Sequence, residues 1–339
     1  MKSFASDNYA GVHPKILKAI SEANSEHASA YGADPWTGKL NEKIKDIFGA
    51  KAEAFPVFNG TGANIVALKA IVKSYESVLC SSCSHIYVDE CGAAESLLGV
   101  RLIDVATTDG KLSPEKLKPF TLNYGNEHQT QSKILSLTQS TEHGTLYKIS
   151  ELEELKNFAK EKGMKVFVDG ARLANAIASL GVSPRKMIEA AGADILTLGG
   201  TKNGLLMGEL VVVLNPDLVA EMKYYRKQLM QLSSKMRFLS AQFLAYLEND
   251  FWLENANLAN TMAKKLCEEL SAIPQIKISQ NVEANAVFAK IPRKIVAPLQ
   301  EEFPFYVWDE GTCEVRWMCS FDTTEKDVEA FVKKIKEFL

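Results

Sequence analysis

Apolar and polar positions alternate between two patterns over roughly the first 250 residues. Short apolar runs, which are typical of buried strands, occur at 77–80, 134–138, 166–169, 195–198 and 209–214. Between them lie segments whose apolar residues recur at helical spacing, such as 14–28 and 150–162. This alternation predicts βαβ units, and therefore a mostly parallel central sheet flanked by helices in an α/β fold.

Local polar residues predict where some of the helices begin. We expect Thr37 to cap a helix that ends at Gly49, and Ser150 with Glu153 to form a capping box. After residue 250 the pattern changes to one helix, four short strands and a last helix, at 252–270, 276–279, 286–291, 305–308, 314–319 and 324–339. We therefore expect a large α/β domain over residues 1–250 and a small α+β domain over 251–339.

Composition and charge exclude several classes of protein. The 39 basic and 42 acidic side chains give a net charge of −3, which offers no reason to expect nucleic acid or an anionic membrane as a partner. No run approaches the roughly 18–20 continuous apolar residues of a membrane-spanning helix, and the N-terminus shows no secretory signal. Six cysteines are too few for a disulfide framework, so we expect a soluble, cytoplasmic protein.

One cysteine cluster has two interpretations. Cys80, Cys83, His85 and Cys91 could ligate zinc, which would make the chain a non-catalytic metal- or redox-responsive protein. Structural zinc sites usually combine two separated ligand pairs, however, and the other close pair, 313 and 319, has the wrong spacing. We therefore favour ordinary structural cysteines, with Cys80 ending a strand and Cys91 opening a helix.

Three motifs carry candidate chemistry. Asp169 ends an apolar run and precedes a glycine, which places it at the ligand-binding edge of a parallel sheet. The next run leads into 199–204, a glycine-rich loop around Lys202, and a lysine shielded from water becomes a nucleophile towards aldehydes. The turn at 59–62 begins a helix and predicts an anion site. Together these are the parts that a phosphate-bearing pyridine aldehyde requires.

Over nearly the whole chain, these motifs resemble the threonine aldolase / β-eliminating lyase family of pyridoxal 5'-phosphate (PLP) enzymes, which have the PLP-dependent transferase type I (aminotransferase-like) fold. The matching stretches are 6–7, 31–35, 59–64, 84–86, 168–172, 199–204 and 314–316. The resemblance implies a lyase that cleaves L-threonine, L-allo-threonine and related β-hydroxy-α-amino acids to glycine and an aldehyde. β-Elimination, racemisation and transamination remain alternatives, because they would use the same Lys202 and Asp169.

The resemblance also implies roles for individual residues around the cofactor. Lys202 would form the Schiff base with PLP, and Asp169 would pair with the pyridine nitrogen. His85 would stack on the ring as a second catalytic residue, and Arg172 would bind the phenolic oxygen or the substrate carboxylate. The remaining cofactor-binding residues would be those of the anion site and the lysine loop: Gly60, Thr61, Gly62 and Thr201.

Further residues are implied for the substrate. Ser6 and Arg316 would clamp its carboxylate, which places the extreme N-terminus near the active site, and Tyr31 would line the site from a neighbouring loop. The group that deprotonates the β-hydroxyl stays open among His85, Glu90, His143 and a water molecule.

Relatives build each active site from two chains, so the resemblance implies a homodimer or homotetramer with shared sites. The stretch 224–236 is the candidate interface element. Within it, Arg226 and Lys227 have two interpretations: they reach the phosphate site of the neighbouring subunit, or they form a solvated helix face.

Overall fold

The computed structural model of the chain describes residues 2–339. Over these residues the helices are α1 (Pro14–Ala23), α2 (Pro35–Phe48), α3 (Gly60–Ile71), α4 (His85–Val88), α5 (Ala93–Leu98), α6 (Pro114–Leu117), α7 (Ile149–Glu161), α8 (Leu173–Leu180), α9 (Pro184–Ala191), α10 (Val219–Gln228), α11 (Met236–Leu247), α12 (Phe251–Ser271), α13 (Arg293–Glu302) and α14 (Glu325–Phe338). None of these helices is long and apolar enough to cross a membrane.

The strands of the same residues form two sheets. They are β1 (Glu53–Val57), β2 (Glu76–Ser81), β3 (Arg101–Val105), β4 (Gln131–Thr138), β5 (Lys165–Gly170), β6 (Ile195–Leu198), β7 (Glu209–Val213), β8 (Lys277–Ile278), β9 (Ala286–Lys290), β10 (Tyr306–Asp309) and β11 (Glu314–Met318). The large sheet has the order β1-β7-β6-β5-β4-β2-β3. Its strands from β6 to β3 pair in parallel, while β7 is antiparallel to both β6 and β1.

Helices cover both faces of the large sheet. Along β5, Val166 and Val168 belong to one hydrophobic core and Phe167 belongs to the other. The first core contains side chains of α1, α2, α7, α8, α9 and α11, and the second contains those of α3, α5 and α10. A strand that is buried on both faces carries continuous apolar residues, which explains the runs seen in the sequence. The predicted α/β fold class is confirmed.

The small sheet is antiparallel, with the order β10-β11-β9-β8. Its own core is built around Trp317 and includes side chains of α12, α13 and α14. The helix α12 contributes to both units, because Trp252 packs in the first core of the large sheet and Leu266 packs in the small core. We propose that the two units are the domains 1–250 and 251–339, with α12 joining them.

The N-terminal segment connects the small sheet to the large one. The backbone N–H of Phe4 donates to the carbonyl of Pro304 at 2.8 Å, and the carbonyl of Phe4 accepts from Met318 at 2.8 Å. The Phe4 ring is buried in the small core. The following residues, Ser6 and Asp7, are therefore held between the two units.

Two predicted helix starts are wrong. The Asp34 carboxylate caps α2 by accepting from the backbone N–H of Thr37 at 2.9 Å, so Thr37 lies inside the helix. At the start of α7, the Glu151 carboxylate accepts from the backbone N–H of Lys148 at 2.7 Å, so Ser150 is not the cap. In both cases the residue whose side-chain oxygen accepts the capping hydrogen bond lies within three residues of the predicted capping residue. The helices themselves were predicted.

Candidate active site

A cavity of about 320 Å³ lies at the carboxyl edge of the central strands of the large sheet. This is the edge where ligands bind in open α/β sheets. Seven of the predicted site residues line it: Gly60, Thr61, His85, Asp169, Arg172, Thr201 and Lys202. Residues from four separate stretches of the chain therefore meet at one place.

The lysine loop follows β6 and contains a 3-10 turn at Thr201–Asn203. A Cβ atom at Gly199 would lie 2.1 Å from the carbonyl oxygen of Ala171, so only glycine permits this close approach. The backbone N–H of Gly200 donates to the Glu209 carboxylate at 2.6 Å, which ties the loop to β7. Burial, and then the positive charge of Arg172, lower the pKa of Lys202. A lowered pKa favours the neutral, nucleophilic amine.

A hydrogen-bonded chain links Asp169 to His85. The side-chain amide of Asn64 donates to Asp169 at 3.1 Å and to Glu90 at 2.7 Å. The Nδ1 atom of His85 lies 2.8 Å from the same Glu90 oxygen. This hydrogen bond is the main reason why the pKa of His85 is raised. The network fixes both the carboxylate at the end of β5 and the orientation of the imidazole ring.

Arg172 forms a buried ion pair with Asp7. Its Nε and one Nη donate to the two carboxylate oxygens at 2.7 and 2.8 Å, and Asn285 donates to Asp7 at 3.1 Å. Burial alone would raise the pKa of Asp7, but the charge and hydrogen bonds of Arg172 outweigh it, so the pKa is lowered. The expectation for Arg172 named only cofactor or substrate as its partner. In the structure two of its donors bind Asp7 of the N-terminal segment, a partner that the expectation did not include.

The start of α3 forms the anion site. The Asn59 side chain caps the helix by accepting from the backbone N–H of Gly62 at 2.8 Å. Gly60 and Thr61 come just before Gly62 in the chain, at the positive end of the helix dipole, and both line the cavity. Gly62 does not line it: a Cβ atom there would lie 2.4 Å from the side chain of Gln231, which packs against the turn.

A second acidic group lines the cavity from the loop after β4. The Oε1 atom of Glu142 accepts from the backbone N–H of His85 at 2.8 Å and from the Thr138 hydroxyl at 3.0 Å. Burial, and then the negative charge of Asp169, raise the pKa of Glu142 to about 7. The neighbouring residue, His143, points away and packs against Phe288, with ring centroids 5.6 Å apart.

Arg316 approaches from the small sheet. It lies on β11, and its guanidinium is 4.9 Å from the ring of Trp308. Its Nε atom is buried and has no hydrogen-bond partner among residues 2–339. Burial, and then the positive charge of Arg172, lower the pKa of Arg316 to about 10. A buried arginine with an unpaired donor near a second arginine is suited to bind an anion.

Three of the four predicted substrate residues are not among those that line the cavity in this chain: Ser6, Tyr31 and Arg316. The Ser6 hydroxyl accepts from the backbone N–H of Asn8 at 3.2 Å, next to the Asp7–Arg172 pair. Tyr31 is 56% exposed, and the Lys227 ammonium lies 5.5 Å from its ring. Tyr31 therefore does not line the cavity from within this chain.

Arg226 is buried, so it is not part of the solvated helix face that was one of its two interpretations. It donates to the carbonyl of Pro56 at 3.3 Å and lies 5.4 Å from the ring of Phe55. Burial lowers its pKa to about 10. Lys227, one position later on α10, is exposed.

The cysteine cluster does not form a metal site in the part of the chain that the structure describes. No three His, Cys, Asp or Glu side chains are close enough there to hold a metal ion. Cys80 is buried at the end of β2, whereas Cys91 is exposed and has a left-handed backbone, with φ 52°.

Four site residues were missed or left without a role by the sequence reasoning: Asp7, Asn64, Glu142 and Glu209. Asp7 and Asn64 did lie in stretches that carried the family resemblance, which is the signal that could have identified them. Glu209 opens an apolar strand, and a charged residue at such a position needs a partner.

Comparisons with known proteins agree with this geometry. The sequence profile described as β-eliminating lyase matches residues 3–293. The low specificity L-threonine aldolase of Pseudomonas aeruginosa is 40% identical over 337 residues, covering 99% of this chain and 97% of that protein. The yeast (Saccharomyces cerevisiae) protein of the same name is 27% identical, covering 84% and 73%. A solved structure of Leishmania major threonine aldolase superposes with a TM-score of 0.94 at 28% identity, covering 99% of both chains. The chain belongs to the β-eliminating lyase family.

Proposed function

We propose that this protein is a PLP-dependent lyase that cleaves L-threonine, L-allo-threonine and related β-hydroxy-α-amino acids to glycine and an aldehyde. One observation carries the proposal: Lys202, Asp169, His85 and the start of α3 line a single cavity at the carboxyl edge of a mostly parallel sheet. The 40% identity to a low specificity L-threonine aldolase supports this choice over other reactions of the same fold.

The residues of the cavity fit PLP. The backbone N–H groups of Gly60 and Thr61, at the start of α3, would hold its phosphate. The Asp169 carboxylate would accept from the pyridine nitrogen, and the His85 ring, fixed by Glu90, would stack on the cofactor. Lys202 would hold the aldehyde carbon covalently, and Thr201 would bind beside it. When bound, PLP supplies an electron sink for the pair left on Cα.

The residues of this chain bind and orient the substrate. Arg316 offers an unpaired buried donor, and Arg172 keeps one Nη free of the ion pair with Asp7. Together they would hold the carboxylate of the amino acid, with Ser6 nearby on the N-terminal segment. A fixed carboxylate determines which bond of Cα stands perpendicular to the cofactor ring, and therefore which bond breaks.

We further propose a homodimer or homotetramer with shared active sites. Tyr31 and Lys227 are exposed and lie close together, so they are free to serve a neighbouring subunit. The six free cysteines fit a reducing compartment, which supports a cytoplasmic protein. Nucleic acid and membranes are not proposed as partners, given the net charge of −3.

Product analysis tests the reaction. The PLP-loaded protein is incubated with L-threonine, and glycine and acetaldehyde are measured in equal amounts over time. Pyruvate, D-threonine or a keto acid as the main product would instead identify elimination, racemisation or transamination, and would reject the proposed cleavage. L-Serine and L-phenylserine, assayed in parallel, define the preferred side chain.

A further inference from the structure

Breaking the Cα–Cβ bond of a β-hydroxy amino acid requires a group that accepts the hydroxyl proton. We propose that the carboxylate of Glu142 is this group and touches the substrate hydroxyl, an inference that rests on the proposed aldol cleavage. Glu142 lines the same cavity as Lys202 and Asp169, and it projects from the loop after β4, the strand that pairs with β5.

The contacts of Glu142 hold it in place and leave it able to take a proton. Its Oε1 atom accepts from the His85 backbone N–H at 2.8 Å and from the Thr138 hydroxyl at 3.0 Å. Among residues 2–339, the one hydrogen-bond partner of its Oε2 atom is the Cys83 thiol, at 3.9 Å. Glu142 forms no salt bridge with any of residues 2–339, so no cation in direct contact lowers its proton affinity.

The other acidic and imidazole groups have different positions. Glu90 does not line the cavity, and its Oε1 atom is used by Asn64 and His85. His143 packs between Phe288 and Trp308 of the small sheet instead of facing the cavity. Glu209 accepts from the lysine loop at 2.6 Å, and this bond ties it to the positioning of Lys202. His85 does line the cavity, but Glu90 holds its Nδ1 atom at 2.8 Å, and in the proposed arrangement its ring stacks on PLP.

The surrounding charges suit proton transfer near neutral pH. Burial, and then the negative charge of Asp169, raise the pKa of Glu142 to about 7, and a general base works best when its pKa is near the working pH. The titratable groups that face it come from several elements: Asp169, Arg172, His85, Cys80, Cys83 and Tyr147. Arg172 is the permanent cation of this set, and its charge is paired with that of Asp7 through two hydrogen bonds.

The proposed step balances in protons and electrons. The hydroxyl proton moves to the Glu142 carboxylate, and the O–H electron pair forms the C=O bond of the aldehyde. The Cα–Cβ bond breaks, and its electron pair stays on Cα. Cα then takes a proton from solvent, which gives glycine, and Glu142 returns its proton to solvent after the aldehyde leaves, so that no net proton is gained or lost.

Kinetics of the PLP-loaded enzyme test the step. In Glu142→Gln we expect kcat for L-threonine to fall by roughly 10²–10⁴-fold, the usual contribution of a positioned base. The rise of kcat/KM through a pKa near 7 should disappear, and Glu142→Asp should restore part of both. His143→Gln, on the same loop, is the matched control and should keep the pH profile of the wild type. A profile that persists in Glu142→Gln would overturn the proposal.

Glycine separates this step from the rest of the chemistry. Because glycine has no β-hydroxyl, exchange of its α-proton with D₂O should proceed in Glu142→Gln within about threefold of the wild-type rate. Parallel loss of exchange would show that Glu142 serves the cofactor or Cα instead, and would reject the proposal. Wild-type enzyme that exchanges glycine but does not cleave threonine would reject the proposed function itself, before any variant is made.

A stability measurement, which needs no catalytic turnover, tests whether Glu142 titrates as proposed. Since the folded pKa is raised above the ordinary 4.5, the native state binds an extra proton between about pH 4.5 and 7. Stability contributed by this group is therefore lost as pH rises through that window. The difference between the unfolding midpoints of holo Glu142→Gln and the wild type (variant minus wild type) should therefore increase as the pH rises from 4.5 to 7, and should be constant above pH 7. A difference that is flat over the window would overturn the proposal.

Discussion

Replacing Asp7 by Asn should destabilise the protein far more than the loss of an ordinary surface ion pair. Asp7 is 2% exposed and accepts three N–H bonds, two from Arg172 at 2.7 and 2.8 Å and one from Asn285 at 3.1 Å. An amide has one acceptor oxygen, so its NH₂ group would face a donor. Breaking a buried pair costs about 3–5 kcal/mol, because the remaining charge, here Arg172, is left unpaired.

Denaturant unfolding of Asp7→Asn measures this cost. The matched control is Glu189→Gln, which removes an Arg–Glu contact of 2.8 Å whose two side chains are 62% and 60% exposed. Exposed pairs contribute at most about 1 kcal/mol, so the control should lie close to wild type. Equal losses in the two variants would refute the argument from burial.

The pH dependence of the same variant has a defined sign. Because the folded pKa of Asp7 is lowered, the stability from this group is present above the ordinary pKa of 3.8 and is lost as pH falls through the folded value. The difference in free energy of unfolding between wild type and Asp7→Asn should therefore be constant at neutral pH and should decrease only below about pH 4. A gap that closed between pH 6 and 8 would identify a different titrating group.

Three further predictions concern substrate, assembly and packing. Arg316→Ala should keep the cofactor spectrum but weaken threonine binding by about 1.5–3 kcal/mol, the value of a hydrogen bond to a charged group. In steady-state kinetics, Arg316→Lys should recover only part of this loss. An unchanged KM in Arg316→Ala would contradict the assignment. Sedimentation should show a dimer or tetramer, and an active monomer would reject shared sites. Gly62→Ala should lower stability by about 1 kcal/mol by displacing Gln231 from its 3.0 Å bond to Phe58. A Cβ atom at Gly60 would have no atom of residues 2–339 within 4 Å, so Gly60→Ala should unfold like wild type.

The central strands could be predicted from the sequence because burial on both faces leaves uninterrupted apolar runs. Two strands at the sheet edges could not. β3 is exposed or half-buried at three of its five positions and carries Arg101 and Asp104, and β1 contains Pro56, which argues against a strand. The pairing of β3 with β2 and of β1 with β7, rather than local preference, determines their conformation.

The site was predictable where each motif stands at the end of a strand or the start of a helix. The Asp7–Arg172 pair was not predictable, because it joins residues that are 165 positions apart and no local sequence pattern indicates it. The loop after β4 shows the same limit at shorter range. Glu142 and His143 are adjacent in an irregular segment, where neither helical nor strand spacing specifies which side chain faces the cavity.

The central claim is that PLP is bound covalently at Lys202, and reduction followed by peptide mapping tests it most directly. The purified holoenzyme should show a visible absorbance band that disappears on treatment with borohydride. Mass spectrometry should then locate the reduced adduct on the peptide containing Lys202, while Lys202→Ala, purified folded, should yield no adduct and negligible aldolase activity. An adduct on any other lysine of the wild-type chain, or a protein that binds no PLP, would contradict the account.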